Sequence, residues 1–267
     1  MSAALAVRPP VSAWRVFGAL LRRDVKAAAR ELPFFLVRTV LQPILFVVVF
    51  GFLMPKMGFV SGNYAAALLP GILAISMTLS SIQAVALPMV ADFGWTKEIE
   101  DRLLAPAPIR LVAVEKMVAG LIQGVIAAAF ILPVARLIMG PIPSLSLSHA
   151  GEIAAVSVLG AAAFSAMGLL MGTAINPQQI GLMFSVIIAP MIFLGCAYYP
   201  WQGLSTVPAL KYAVLVNPLV YVSEGLRGAL TPSLPHMNMV AVLAALAVMT
   251  VGFGVLGLRS FERRALG

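Results

Sequence analysis

The residues with chemistry to offer are few and fall in groups. Residues 92–116, DFGWTKEIEDRLLAPAPIRLVAVEK, are the most charge-rich connecting segment. Within it Lys97 and Asp101, and Glu98 and Arg102, are opposite charges four residues apart, a spacing that makes them neighbours on a helix. Trp95, Ile99 and Leu103 recur as a short apolar stripe, and Pro106 and Pro108 end the pattern. A short amphipathic helix of this kind, with Glu98 and Glu100 at its centre, suits docking into a groove on a cytoplasmic partner, although a solvated connection fits the same pattern. The second group lies further on, where Asn217 and Pro218 have the types expected for a helix cap and first helical residue. Glu224 and Arg227 follow at i,i+3, close enough to form an ion pair.

Several reactions are excluded. The two histidines, His149 and His236, fall in loops, and Cys196 is the only cysteine, so no haem, zinc or disulfide framework is expected. No HExxH, serine elbow or paired carboxylate occurs within the apolar stretches. There is no Gly-Lys dipeptide, which excludes a phosphate-binding Walker A loop. No catalytic residue, metal or cofactor is therefore expected in this chain; if ATP drives it, ATP and magnesium bind another polypeptide. Gln42, Gln83 and Gln123 are polar groups at depth, read either as interhelical hydrogen-bond partners or as ligand contacts.

The elements that position these residues follow from composition. Of 267 residues, 61% are hydrophobic and 10% charged, against about 25% charged in soluble domains. The apolar surplus must face lipid, which indicates an all-α polytopic membrane protein. Six transmembrane helices are expected, over Phe34 to Met54, Tyr64 to Val90, Met117 to Met139, Glu152 to Ala174, Gln179 to Ala197 and Met237 to Leu258. Pro43, Pro88, Pro133 and Pro190 should bend or unwind them, and a tight turn at Ile175 to Gln178 should make the fourth and fifth an antiparallel hairpin.

Before the spans, residues 1–33 form an interfacial amphipathic helix. Trp14, Phe17, Leu21, Val25, Ala28 and Leu32 share an apolar stripe, and Arg15, Arg22, Arg23, Lys26 and Arg30 the opposite face. Such a helix lies among anionic headgroups or packs on a partner protein.

Placing both termini in the cytoplasm puts fourteen of the 18 Lys and Arg inside and leaves only Lys56, Arg136, Lys211 and Arg227 outside. The charge of +8 thus becomes a topology signal, and nucleic acid is not expected as a partner. A seventh span through Val207 to Leu230 is rejected because Lys211, Glu224 and Arg227 would cross the bilayer. Outer re-entrant helices between spans five and six take its place. All five tyrosines, Tyr64, Tyr198, Tyr199, Tyr212 and Tyr221, fall on that outer side, as an interfacial belt or a substrate gate.

Three segments carry a family resemblance. KEIEDRLLAPAPIRLVAVEKMVAGL resembles the inner loop of ABC-2 type permeases, LLPGILAIS the opening of their second span, and NPLVYVSEGLRGAL their outer re-entrant helix. Asp101 and Arg102 depart from the usual residues at their positions. The resemblance implies the permease subunit of a bacterial ABC exporter in the cytoplasmic (inner) membrane, with residues 34–264 as the transmembrane domain. It implies a homodimer bound to two copies of a separate ABC ATPase, which meets the interfacial helix (Trp14, Arg15, Arg22, Arg23, Lys26, Arg30) and the coupling helix (Trp95, Lys97, Glu98, Ile99, Glu100, Asp101, Arg102). It further implies a path between the copies, lined chiefly by the first, second and fifth spans. Outer helices carrying Tyr198, Tyr199, Asn217, Pro218, Tyr221, Glu224 and Arg227 would close that path. The cargo would be hydrophobic or amphipathic, a drug, a lipid or a lipid-linked saccharide. The competing reading is a membrane scaffold or assembly factor that transports nothing.

Overall fold

A chain that buries its backbone in lipid must satisfy every N–H and C=O internally, and helices dominate accordingly. The computed structural model describes residues 13–30, 41, 43–59, 64–96, 108–140 and 145–266. Nine helices organise them: α1 (Ala13–Arg30), α2 (Pro43–Lys56), α3 (Tyr64–Ala91), α4 (Ile109–Met139), α5 (Ala150–Ala174), α6 (Pro177–Phe193), α7 (Pro208–Ala213), α8 (Pro218–Leu230) and α9 (Met239–Leu266). Among the described residues α3, α4, α5 and α9 are long and apolar enough to cross a membrane, while α2 and α6 are shorter apolar helices where the first and fifth spans were expected.

At the centre stands α3, buried at every residue from Leu68 to Ile82. It packs against α2, α4, α5 and α8, and α5 in turn packs against α9. Lipid tails are as apolar as leucine, so helices associate by close packing of small residues rather than by expulsion of water. Gly120 and Gly124 of α4 face Val85, Ser81 and Met77 of α3, and Gly168 and Gly172 of α5 face Ile82 and Ala86. Hydroxyls on these helices turn back to their own ladders: Ser76 donates to the Ile72 carbonyl, Thr78 to Ala74 and Ser165 to Ala161. Ser80 instead donates across to the Gln123 carbonyl at 3.2 Å, the bond that ties α3 to α4.

Several expectations change. Helix α4 begins at Ile109, so Glu115 and Lys116, read as part of a loop, are buried in its second turn. Proline effects are uneven: π-helical turns at Val47–Leu53, Asp92–Thr96 and Met183–Ile188 lie within about one turn of Pro43, Pro88 and Pro190, whereas Pro133 sits in uninterrupted helix. The two arms of the expected hairpin run in opposite senses, from the Ala91 end back to the Tyr64 end, but pack little against each other. Ile175 and Asn176 are extended, and the Pro177 ring lodges where Gly94 has no side chain. That corner steers α6 away from α5 and leaves a cavity of about 370 Å³ between Met167, Ile187 and Phe253. Gln83 and Gln123 are half-buried and make no side-chain hydrogen bond among the described residues, and Gln42 lies outside them.

The tightest approach is at Gly71 of α3, where an added Cβ would lie 1.8 Å from the Ala197 carbonyl oxygen. Gly71→Val is expected to lower the melting temperature of the purified protein sharply, since backbone cannot yield as a side chain can. Gly252→Ala on α9, with nothing within 4 Å, should leave it unchanged.

Candidate functional site

Chemistry concentrates at the two ends of the bundle. At the Tyr64 end of α3, Asn217 caps α8 by accepting a hydrogen bond from the Leu219 N–H at 3.0 Å, and its own amide donates to the Met191 carbonyl of α6 at 2.7 Å. Pro218 takes the first helical position, where its missing N–H costs nothing. The helix so started is buried along its length except at Tyr221. Protein rather than lipid surrounds it, which is how two full charges are tolerated there.

Those charges are Glu224 and Arg227, which form an ion pair with both side chains fully buried. Oε1 of Glu224 also accepts the Trp201 N–H at 2.9 Å, and Oε2 accepts the Met237 N–H at 3.0 Å, just ahead of α9. Arg227 donates to the Cys196 carbonyl at 2.9 Å and twice to the Ala67 carbonyl of α3 at 3.3 Å. Pro70, which cannot continue the helical ladder, lies one turn further along α3. Cys196 has φ of 51°, a left-handed turn that aims its carbonyl inward. One carboxylate and one guanidinium thus join α3, the turn at Cys196, the Trp201 loop and the start of α9.

Aromatic rings surround this hub. Tyr198 lies 5.3 Å from Phe46 and 6.1 Å from Phe50 of α2, centroid to centroid. Tyr64 donates to the Tyr198 carbonyl, Tyr199 to that of Phe193 and Tyr221 to that of Leu215. Burial, and then the neighbouring Cys196, push the Tyr199 phenol above its ordinary range, so it acts as a hydrogen-bond donor. Of these tyrosines only Tyr212 is largely exposed. Lys211 is placed over the Trp201 ring, 4.5 Å from its centroid.

At the Ala91 end the ties are ionic and aromatic. Lys116 of α4 pairs with Asp24 of α1, and Arg110 of α4 with Glu262 of α9. Phe93 meets Phe261 edge to face at 5.8 Å, and the Arg264 guanidinium lies 5.0 Å from the Phe93 centroid. Arg264 also donates to the carbonyls of Thr173 and Ile175 at 2.8 and 3.0 Å, closing the C-terminal end of α5. Thr173 and Ser260 join hydroxyls at 2.9 Å.

The sequence-predicted residues divide accordingly. Of the Tyr198 to Arg227 set, Glu224 and Arg227 form the hub on the helix that Asn217 and Pro218 start, while Tyr199 and Tyr221 bond to the carbonyls of Phe193 and Leu215 and Tyr198 packs on α2. Trp95 falls in the π-helical turns Asp92–Thr96, while Lys97, Glu98, Ile99, Glu100, Asp101 and Arg102 lie outside the described residues. On α1, Leu20 and Asp24 meet α4 and its cluster; of the apolar stripe, Phe17 and Leu21 are half-buried, while Trp14 is 76% exposed and Val25 is uncovered too. Arg15, Arg22, Arg23 and Lys26 are exposed; the Arg30 side chain, and Leu32, fall outside the described set. Asp24 meets α4 for an electrostatic reason. Lys116 is nearly buried and needs a counter-charge, which Asp24, the acidic residue in a basic helix, supplies. Among the described residues no group of three His, Cys, Asp or Glu is placed to hold a metal.

An all-α chain with membrane-length apolar helices joined by buried polar clusters is a polytopic membrane protein. Residues 15–231 match the ABC-2 type transporter family, and the chain belongs to that family, whose members are membrane components of transporters. No match is found among curated proteins.

Glu224→Gln leaves a buried guanidinium without its counter-charge and is expected to destabilise the fold by about 3–5 kcal/mol, read as thermal unfolding in detergent. The same change at Glu262, whose partner Arg110 is exposed, should cost far less.

Proposed function

We propose that this chain is the permease subunit of an ATP-driven exporter in a bacterial cytoplasmic membrane. It pairs with a second identical copy, binds two copies of a separate ATPase, and moves a hydrophobic or amphipathic cargo outward: a drug, a lipid or a lipid-linked saccharide. The observation that carries the reading is membership of the ABC-2 family over residues 15–231. Charge supports the orientation: with α2 and α6 counted as spans, six crossings put both termini and fourteen of 18 basic residues in the cytoplasm. Residues 1–33 then lie at the inner interface, which the exposed Trp14 and Val25 on α1 suit, and 34–264 form the transmembrane domain.

Coupling follows from the clamped end. The described residues on either side of 97–107, Asp92–Thr96 and the start of α4 at Ile109, are both tied to α9, through Phe93–Phe261 and Arg110–Glu262. A push on the coupling helix would be passed to α1, α4, α5 and α9 together, as rigid-body motion rather than local bending. At the other end, the hub around Glu224 and Arg227 would hold the outer helices to α3, with Tyr198 and Tyr199 at the gate.

Glu98→Arg combined with Glu100→Arg is expected to abolish co-purification of the ATPase, or its coupling, while the permease keeps its melting temperature; full activity in that variant refutes the coupling role. Tyr198→Ala or Tyr199→Ala tests the gate: export and basal ATP hydrolysis both unchanged would exclude it.

A further inference from the structure

A groove at the Ala91 end has no part in the reading above. It lies between the C-terminal ends of α5 and α9, encloses about 580 Å³, and is lined by Arg259, Arg263 and Arg264 with Thr173, Asn176 and Ser260. No acidic residue lines it, since Glu262 is turned to Arg110. Arg264 is committed to the α5 carbonyls. Arg259 and Arg263 are exposed and, among the described residues, have neither an ion pair nor a hydrogen bond. Two guanidiniums side by side without a counter-charge attract an anion, and their planar forks fit phosphate oxygens.

The same face of α9 indicates which anion. Val248, Val251, Val255 and Leu256 are exposed at 72%, 66%, 42% and 51%, a continuous apolar stripe that runs into Arg259 and Arg263 at helical spacing. From Val248 to Arg259 the helix rises about 16 Å, close to the hydrocarbon depth of one leaflet. Leu170 and Leu256 carry the apolar lining to the edge of the arginines. A free phosphate would use the arginines and leave the stripe idle, whereas an acyl chain on the stripe puts its own phosphodiester at the guanidiniums.

We propose that this groove binds the headgroup of an anionic phospholipid from the inner leaflet, with Arg259 and Arg263 on the phosphodiester, Ser260 and Asn176 beside it, and an acyl chain along Val248 to Leu256. Only the leaflet rests on the cytoplasmic placement of the C-terminus; the site does not depend on export or its direction.

Native mass spectrometry of the purified full chain, offered phosphatidylglycerol and phosphatidylcholine in equal amounts, tests it. Phosphatidylglycerol should be retained over phosphatidylcholine, and Arg259→Gln with Arg263→Gln should cut that retention by about tenfold. Arg259→Lys with Arg263→Lys should retain most of it. Ala174→Trp, which fills the groove with both charges intact, should lose it, so the result does not hang on one variant's folding. Equal retention of the two lipids, unchanged retention in the Gln or Trp variants, or displacement of the lipid by millimolar inorganic phosphate overturns the proposal. So does a Gln variant that keeps its lipid and loses a co-purified ATPase, which would make the groove a protein interface. Leaflet is read separately: Arg263→Cys, in a chain whose one native cysteine is buried, should react with impermeant maleimide only from the cytoplasmic side. Labelling from outside would sink the orientation and leave the lipid result standing.

Discussion

A guanidinium taken out of water must find its counter-charge and its acceptors within the protein, and around Arg227 that requirement draws distant stretches of chain to one point. Glu224 supplies the charge, and the carbonyls of Ala67 and Cys196 supply the rest. Because Glu224 is itself buried, its remaining capacity must be used as well, and the N–H groups of Trp201 and Met237 use it. Burial of one ion pair thereby dictates where α8 sits against α3, where the Cys196 turn points and where α9 begins. Such a pair contributes little net stability over an apolar replacement. What it contributes is a single arrangement, since few alternative packings satisfy every donor and acceptor at once.

The second constraint is proximity. With no hydrophobic drive between helices in lipid, contact has to be close to be worth having. The glycines of α4 and α5 let α3 approach until backbone and side chain touch. The position of α3 is consequently fixed along its length, and the clusters at its two ends are held at a set distance from each other.

How much of this the sequence disclosed depended on range. The cap at Asn217 and the pair at Glu224 and Arg227 are local, two and three residues apart, and helical geometry alone brings them together. Asp24 and Lys116 are 92 residues apart, and only the packed fold makes them neighbours. Without that partner a lysine at position 116 reads as loop, and the start of α4 at Ile109 is hidden with it. Gly120 and Gly124, and Gly168 and Gly172, stand four residues apart, a spacing that marks close packing without saying which helix is faced. The docked sector of α1 had one cue, an aspartate among basic residues. The departure of α6 from α5 had none, because it depends on a proline meeting a glycine far away in sequence.

The two ends differ in how they feel the solvent. Arg110 is mostly exposed where it pairs with Glu262, so dissolved ions can screen that tie, whereas the nearly buried Lys116–Asp24 pair is screened far less. No ion reaches Glu224 or Arg227, whose side chains have no accessible surface. Ionic strength therefore acts on this molecule from one side, loosening the Arg110–Glu262 tie while the pair at the other end stays out of its reach.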